Sequence, residues 1–152
     1  MKRFILFFII AAFVSPAYYA QTKNSTPKQA EEWVKKAIAF YKEAGAEKAF
    51  KEFNNPKGKF TRGDLYIIVY DLDGKCLAQG SDPAAVGKNR MDLKDADGKM
   101  IVKDRIEIAK TKGKGWQNYK WANPATKNVE AKTVYVEKVG KYVFACGAYS
   151  KK

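Results

Sequence analysis

Gly63-Asp64-Leu65-Tyr66-Ile67-Ile68-Val69-Tyr70-Asp71-Leu72-Asp73-Gly74-Lys75-Cys76-Leu77-Ala78-Gln79-Gly80 is the stretch that decides the fold. Leu65 to Tyr70 is β-branched and aromatic and reads as a strand; Lys75 to Gln79 reads as the strand that returns. Asp73-Gly74 between them is a hairpin signal, because glycine accepts the positive φ that a tight turn requires. Just beyond lie Asp82-Pro83 and Val86-Gly87-Lys88-Asn89, a basic loop.

Upstream of the hairpin, Thr26 can cap a helix, Pro27 suits its first position, and Gln29 completes a capping box. Trp33, Val34, Ala37, Ile38, Tyr41 and Ala44 recur at three- and four-residue spacing and form one apolar stripe. Gly45 breaks or kinks that helix, Ala46 to Phe53 forms a short second one, and Asn54-Asn55-Pro56-Lys57-Gly58 ends it. Downstream, Ser81 to Asp97 reads as irregular. Lys99 to Lys110 carries Val102, Ile106 and Ala109 on one helical face before Gly113 and Gly115. Three strands follow: Trp116 to Trp121, Ala131 to Glu137 and Tyr142 to Tyr149, with turns at Asn123-Pro124 and Gly140. The order α-α-β-β-α-β-β-β, ending in a meander, predicts an α+β fold with an antiparallel sheet covered by helices.

The first twenty residues stand apart. Lys2 and Arg3 precede an apolar run from Phe4 to Val14 and then small residues, the layout of a signal peptide cleaved after Ala17 or Ala20. The run is short of the roughly 20 apolar residues of a membrane span. The expected organisation is a signal peptide at 1–20, a tether at 21–27 and one domain at 28–152. The expected location is periplasmic or secreted.

The formal charge is +13, and loss of Lys2 and Arg3 leaves +11. Lysines are spread along the chain with no run longer than two basic residues, so nucleic acid is not an expected partner. A positive field does speed the arrival of small anions. Histidine is absent, which removes the usual general base, the commonest metal ligand and the Ser-His and Cys-His nucleophile pairs. No enzymatic activity, metal or cofactor is expected. Asp71-x-Asp73-Gly74 and Asp95-x-Asp97-Gly98 superficially look like calcium loops. Aligning Gly at the sixth position puts Val69 and Leu93 at the first and Gly80 and Asp104 at the twelfth, so these are turns.

The set Asp64-Leu65-Tyr66 to Asp73-Gly74, Val86-Gly87-Lys88-Asn89, Asp92-Leu93-Lys94-Asp95 with Gly98-Lys99, Gly115-Trp116, Tyr119-x-Trp121, Lys132-x-x-Tyr135-Val136 and Gly147-x-Tyr149 resembles the single Cache domains, over about residues 28–149. These are PAS-like extracytoplasmic sensory domains of bacterial receptors. The resemblance implies a five-stranded antiparallel sheet of order 2-1-5-4-3 with a long N-terminal helix. It also implies a pocket between the sheet and the segment crossing from strand two to strand three, and a small organic acid as ligand. No receptor span, kinase or coiled coil follows Lys152, so a free-standing form is expected. In the implied strand order Cys76 and Cys146 flank strand one. Two strand spacings, roughly 9.5 Å, exceed the roughly 7 Å that a disulfide spans, so both are expected to be thiols.

The expected ligand-binding residues are Tyr66, Arg90, Trp116, Tyr119, Trp121, Lys132 and Tyr135. Tyrosine and tryptophan offer an apolar body with a polar tip, and a basic group neutralises a carboxylate. Arg90, with Lys88 and Asn89 beside it, is equally compatible with a solvated surface. Tyr119 and Trp121 share a strand face, whereas Lys132 and Tyr135, three apart, point to opposite faces unless a bulge intervenes. The expected function is an exported domain that binds a small carboxylate. Its alternative is a ligand-free interaction module that touches a membrane sensor or a second copy through the N-terminal helix.

Overall fold

The computed structural model describes residues 25–150. The expected signal peptide and most of the tether lie outside the described residues. Helix α1 spans Pro27–Ala44. The Thr26 hydroxyl accepts the Gln29 N–H, and the Gln29 side chain accepts the Thr26 N–H, so two orphan donors are satisfied reciprocally. Gly45, at φ 80°, ends α1, and α2 follows at Ala46–Phe53. A left-handed backbone at this junction favours glycine, which bears no Cβ to clash.

Two short strands, β1 (Thr61–Arg62) and β2 (Leu65–Tyr66), pair across Gly63-Asp64. The sequence reading did not find this hairpin. Strand β3 (Ile68–Asp71) and strand β4 (Cys76–Gln79) form the expected hairpin, with a register shift between Val69 and Tyr70. A 3-10 turn at Pro83–Ala85 opens the crossing segment, and α3 spans Ile101–Lys112, two residues later than its periodicity indicated. Strands β5 (Lys114–Ala122), β6 (Val129–Val139) and β7 (Tyr142–Ser150) complete the meander. The antiparallel sheet runs β4-β3-β7-β6-β5.

Side chains alternate across a strand, so this sheet separates two cores. On one face α1 packs over β6 and β7 with Ile67, Val69, Tyr135, Phe144, Cys146 and Ala148. On the other, α3 and the crossing segment cover Tyr66, Ile68, Tyr70, Tyr119, Val134, Val136 and Tyr149. Cys76 and Cys146 are unbridged and buried in opposite cores. Both Asp-x-Asp-Gly motifs are Asx turns: Asp71 Oδ1 accepts the N–H groups of Asp73 and Lys75, and Asp95 Oδ1 those of Asp97 and Lys99. Among the described residues no helix is long and apolar enough to cross a membrane.

Candidate functional site

The register places Tyr119 of β5 opposite Lys132 of β6, and Lys132 opposite Tyr149 of β7. Their side chains form a row on the α3 face. Lys132 is 1% exposed. Its stem lies across Gly147, where an added Cβ would sit 2.5 Å from Lys132 Cε and 2.6 Å from a Val134 methyl. Glycine at 147 is therefore the space that lets a lysine lie flat on the sheet.

The Lys132 ammonium donates to Tyr66 Oη at 2.7 Å and lies 4.0 Å from the centre of the Tyr66 ring and 4.5 Å from that of Tyr149. Tyr149 Oη donates to the Ala122 carbonyl at 3.0 Å. The 3.2 Å contact between Tyr66 and Tyr149 is then donated by Tyr66. Protons thus run in one direction, from Lys132 to Tyr66 to Tyr149 to a carbonyl. This uses one of the three ammonium N–H bonds. Burial opposes ionisation of Tyr66, but the charge and hydrogen bond of Lys132 outweigh it and hold the phenol below its ordinary pKa. Burial likewise opposes the Lys132 ammonium; the Tyr66 and Tyr119 oxygens outweigh that and raise its pKa above the usual lysine value.

A second cation lies on the same face. Arg105 of α3 is 2% exposed. Its Nε donates to Gln117 Oε1 at 3.3 Å and its terminal nitrogen to Tyr119 Oη at 3.1 Å. Gln117 in turn donates to the Ile101 carbonyl at 2.7 Å, which fixes the orientation of its amide. The guanidinium lies 5.6 Å from the centre of the Tyr70 ring and 5.8 Å from that of Tyr119. Because Tyr119 accepts from Arg105, its own proton remains free to donate. Among the described residues the buried carboxylate is Asp64, which already accepts from the Ser25 N–H and hydroxyl. Lys132 and Arg105 are thus buried without a carboxylate partner. Phenol oxygens rather than a carboxylate hold the Lys132 charge.

The segment from Ser81 to Met100 crosses this face as a strap. Met91 and Leu93 pack onto the cluster that contains Tyr66, Tyr119 and Tyr149. At the β4 end, Gly87 N–H donates to Cys76 O, Cys76 N–H to Lys88 O and Arg90 N–H to Gly74 O, at 2.8–2.9 Å. At the β5 end a turn carrying Asp95, Asp97 and Lys99 meets Asn118 and Lys120.

Of the residues expected from the sequence, the structure brings Tyr66, Tyr119 and Lys132 together, with half-buried Trp121 at 6.4 Å from the Tyr119 ring. Arg90 lies on the strap; its Nε is buried without a protein hydrogen-bond partner. Trp116 and Tyr135 lie on the other face of the sheet. Strand β6 pairs with β5 and β7 in continuous register, with no bulge to turn Tyr135 toward Lys132. Tyr135 sits in the α1 core and donates to Glu137 at 2.9 Å, and Trp116, 43% exposed, packs against it at 5.1 Å. Sequence reasoning missed Arg105, Gln117, Tyr70 and Tyr149. Arg105 falls on the Val102–Ile106–Ala109 stripe, and a charged residue inside an apolar stripe was the available signal.

A separate cleft of about 710 Å³ opens beside the start of α1, lined by Thr26, Gln29, Glu32, Trp33, Arg62 and Asp64 among others. None of the residues expected from the sequence lines it. Its one buried charge, Asp64, is already bonded to Ser25.

Known proteins are similar to this chain in sequence and in fold. The sensor histidine kinase MctS of Rhizobium johnstonii is 33% identical over 84 residues, 55% of this chain and 18% of the kinase. The methyl-accepting chemotaxis protein McpP of Pseudomonas putida is 25% identical over 88 residues, 57% of this chain and 16% of the receptor. The chain therefore spans less than a fifth of either relative. A Cache chemosensory domain solved to show the structural basis of carboxylic acid recognition superposes with a TM-score of 0.70 at 24% identity. That superposition covers 82% of this chain and 92% of the other. A methyl-accepting chemotaxis protein of Vibrio parahaemolyticus gives 0.69 at 21%, covering 80% and 86%. These two structural likenesses speak for the fold. The description "Single Cache domain 2" matches residues 17–150, nearly the whole chain, and with the fold just described it places the chain in that family: it is a single Cache domain.

Proposed function

We propose that this chain is an exported sensory domain that recognises a small carboxylate beneath the strap, on the α3 face of the sheet. The observation that carries the reading is the pair of buried cations, Lys132 and Arg105, neither of which forms a salt bridge with a carboxylate among the described residues. The groups left free there are donors: two ammonium N–H bonds and the Tyr119 hydroxyl. A carboxylate, which only accepts, complements them. Tyr66, Tyr149 and Gln117 support these donors from behind, and Trp121 and Arg90 lie at the rim. The relatives support the same reading, since one neighbour is a carboxylic acid-recognising chemosensory domain and the matched proteins are a sensor kinase and a chemoreceptor. Export rests on the basic start and short apolar core at the N-terminus.

Thermal melts with acetate, propionate, pyruvate, glycine and ethylamine test this directly. A bound carboxylate at a hundredfold excess over its dissociation constant adds about 2.7 kcal/mol of stability. The acids should raise the melting temperature and ethylamine should not. Response to the amine alone would reverse the polarity assigned to the site.

The interaction-module reading keeps one specific observation in its favour: each buried polar side chain of the α3 face already has at least one bond to a neighbour. Its docking face would be α1, where Trp33, Phe40 and Phe60 with Lys36 and Lys59 line a shallow cleft. A protein that binds none of the acids, yet associates through this cleft, would favour it.

A further inference from the structure

The two ends of the strap are held by different chemistry. We propose that residues 91–100 are a gate that hinges at β4 and opens at β5, admitting ligand to the Lys132–Tyr119 row. The inference rests on the site reading above and adds the route and the latch.

At the hinge, the chain runs alongside β4 as an added strand. Three backbone bonds join it to Gly74 and Cys76, an isolated bridge pairs Lys75 with Asn89, and the Asn89 side chain donates to Asp73 O at 2.8 Å. At the latch, every bond between the strap and β5 among the described residues uses a strap side chain. Asp95 Oδ2 accepts the Lys120 N–H at 3.1 Å. Lys99 Nζ donates to Asn118 O at 2.7 Å, and Asp97 pairs with Lys120 Nζ at 2.9 Å. The Asp97 and Lys120 side chains are 58% and 49% exposed. Exposed pairs of this kind are weak and screened by salt, whereas backbone ladders are not held by charge.

The turn at the latch is a self-contained unit. Asp95 N–H donates to Lys99 O, Gly98 N–H to Asp95 O, and Lys94 bridges Met100, so it can swing away without losing its own bonds. Asp95 works on both sides of the latch. Its Oδ1 holds the turn and its Oδ2 holds β5, and after the cost of desolvation those backbone bonds lower its pKa. The latch touches β5 at Asn118 and Lys120, the two neighbours of Tyr119. Release there uncovers the Tyr119 and Trp121 end of the site first.

Amide hydrogen exchange on the intact ligand-free protein reads the gate without any ligand. The Lys120 amide, which bonds to Asp95 Oδ2 across the latch, should exchange faster than the hinge amides of Gly87 and Arg90. Its rate should rise between about 50 and about 500 mM sodium chloride. Asp95→Asn and, separately, Lys99→Met should speed the Lys120 amide by about two- to fivefold, the scale of an exposed pair. Gly87, Arg90 and the melting temperature should not change. Uniform exchange of both ends, or earlier opening at Gly87 and Arg90, would overturn the gate. So would a Lys120 amide indifferent to salt and to both substitutions. Sodium acetate, propionate or pyruvate, at constant ionic strength, should slow the Lys120 amide in the wild type. A gate that responds to Asp95→Asn but to none of the acids would overturn the carboxylate reading and leave the latch standing.

Discussion

The two faces of the sheet bury similar amounts of chain by opposite means. The α1 face is an interlocked set of rings: Phe53 meets Phe60 edge-on at 4.7 Å, Phe50 meets Tyr142 at 5.0 Å, and Tyr41 meets Phe144 at 5.3 Å. Its polar atoms lie at the margin, as where Trp33 Nε1 donates to Phe60 O. The α3 face encloses a lysine, an arginine, a glutamine and several phenols among small aliphatic residues. Apolar burial stabilises in proportion to area, whereas a buried cation needs bonded oxygens to offset its desolvation. The α1 face is therefore held by apolar contact, and the α3 face by a network of bonded polar groups.

The largest effect should come from the α1 face. Phe53→Ala or Phe144→Ala removes a fully buried ring, which costs about 3–5 kcal/mol. Chemical denaturation would read this as a drop in midpoint at unchanged slope. A cost below about 1 kcal/mol would mean the face is not the stabilising one.

Next in size is Gly147→Ala. The new methyl meets the Lys132 stem and Val134, and overpacking of this kind costs about 1–3 kcal/mol. Combination with Lys132→Ala should recover part of the loss. Strict additivity of the two changes would show that Lys132 does not lie across residue 147.

Alkali gives a smaller, graded effect on both faces. Burial pushes the Cys76 thiol up to about 11 and the Cys146 thiol up to about 12, well above the ordinary range of a thiol. A group whose folded pKa is raised contributes fully below its unfolded pKa and loses that contribution as pH rises toward the folded value. Stability should therefore decline from about pH 9 upward, and less so in a Cys146→Ala variant whose own pH-independent cost is subtracted. Folded protein should react slowly with thiol reagents at pH 8, and unfolded, unreduced protein should show two free thiols. Finding none would contradict the placement of the cysteines in separate cores.

The smallest effect concerns neither face. Thr26→Ala removes half of the capping box and should cost about 1 kcal/mol. A circular-dichroism melt suffices to measure it.

Much of the fold was legible because local rules govern it. Thr26, Pro27 and Gln29 announce the start of α1, Gly45 its end, and Asp73-Gly74 the turn between β3 and β4. The β1–β2 hairpin was not legible, since two-residue strands have no periodicity to detect. Strands β5 and β6 each extend beyond their apolar stretch because pairing, not composition, carries them to Ala122 and Val129. The site was half legible. Alternation put Tyr119 and Trp121 on one face and warned that Tyr135 faced away from Lys132. Nothing local told which face Lys132 shared with Tyr66, 66 residues away. Arg105 was overlooked because a lone charge on an amphipathic helix ordinarily lies at the edge of the stripe, and here the crossing segment closes over it.

The central claim is that Lys132 serves recognition rather than stability. Isothermal titration with acetate, propionate and pyruvate, beside ligand-free thermal melts, should be run on the wild type and on Lys132→Met. Methionine keeps the length of the stem and removes a buried charge that has no carboxylate partner. The account predicts a ligand-free variant that still folds cooperatively, with binding of the acid lost. A variant that still binds the acid with wild-type affinity, or one that unfolds when the charge is removed, would contradict it.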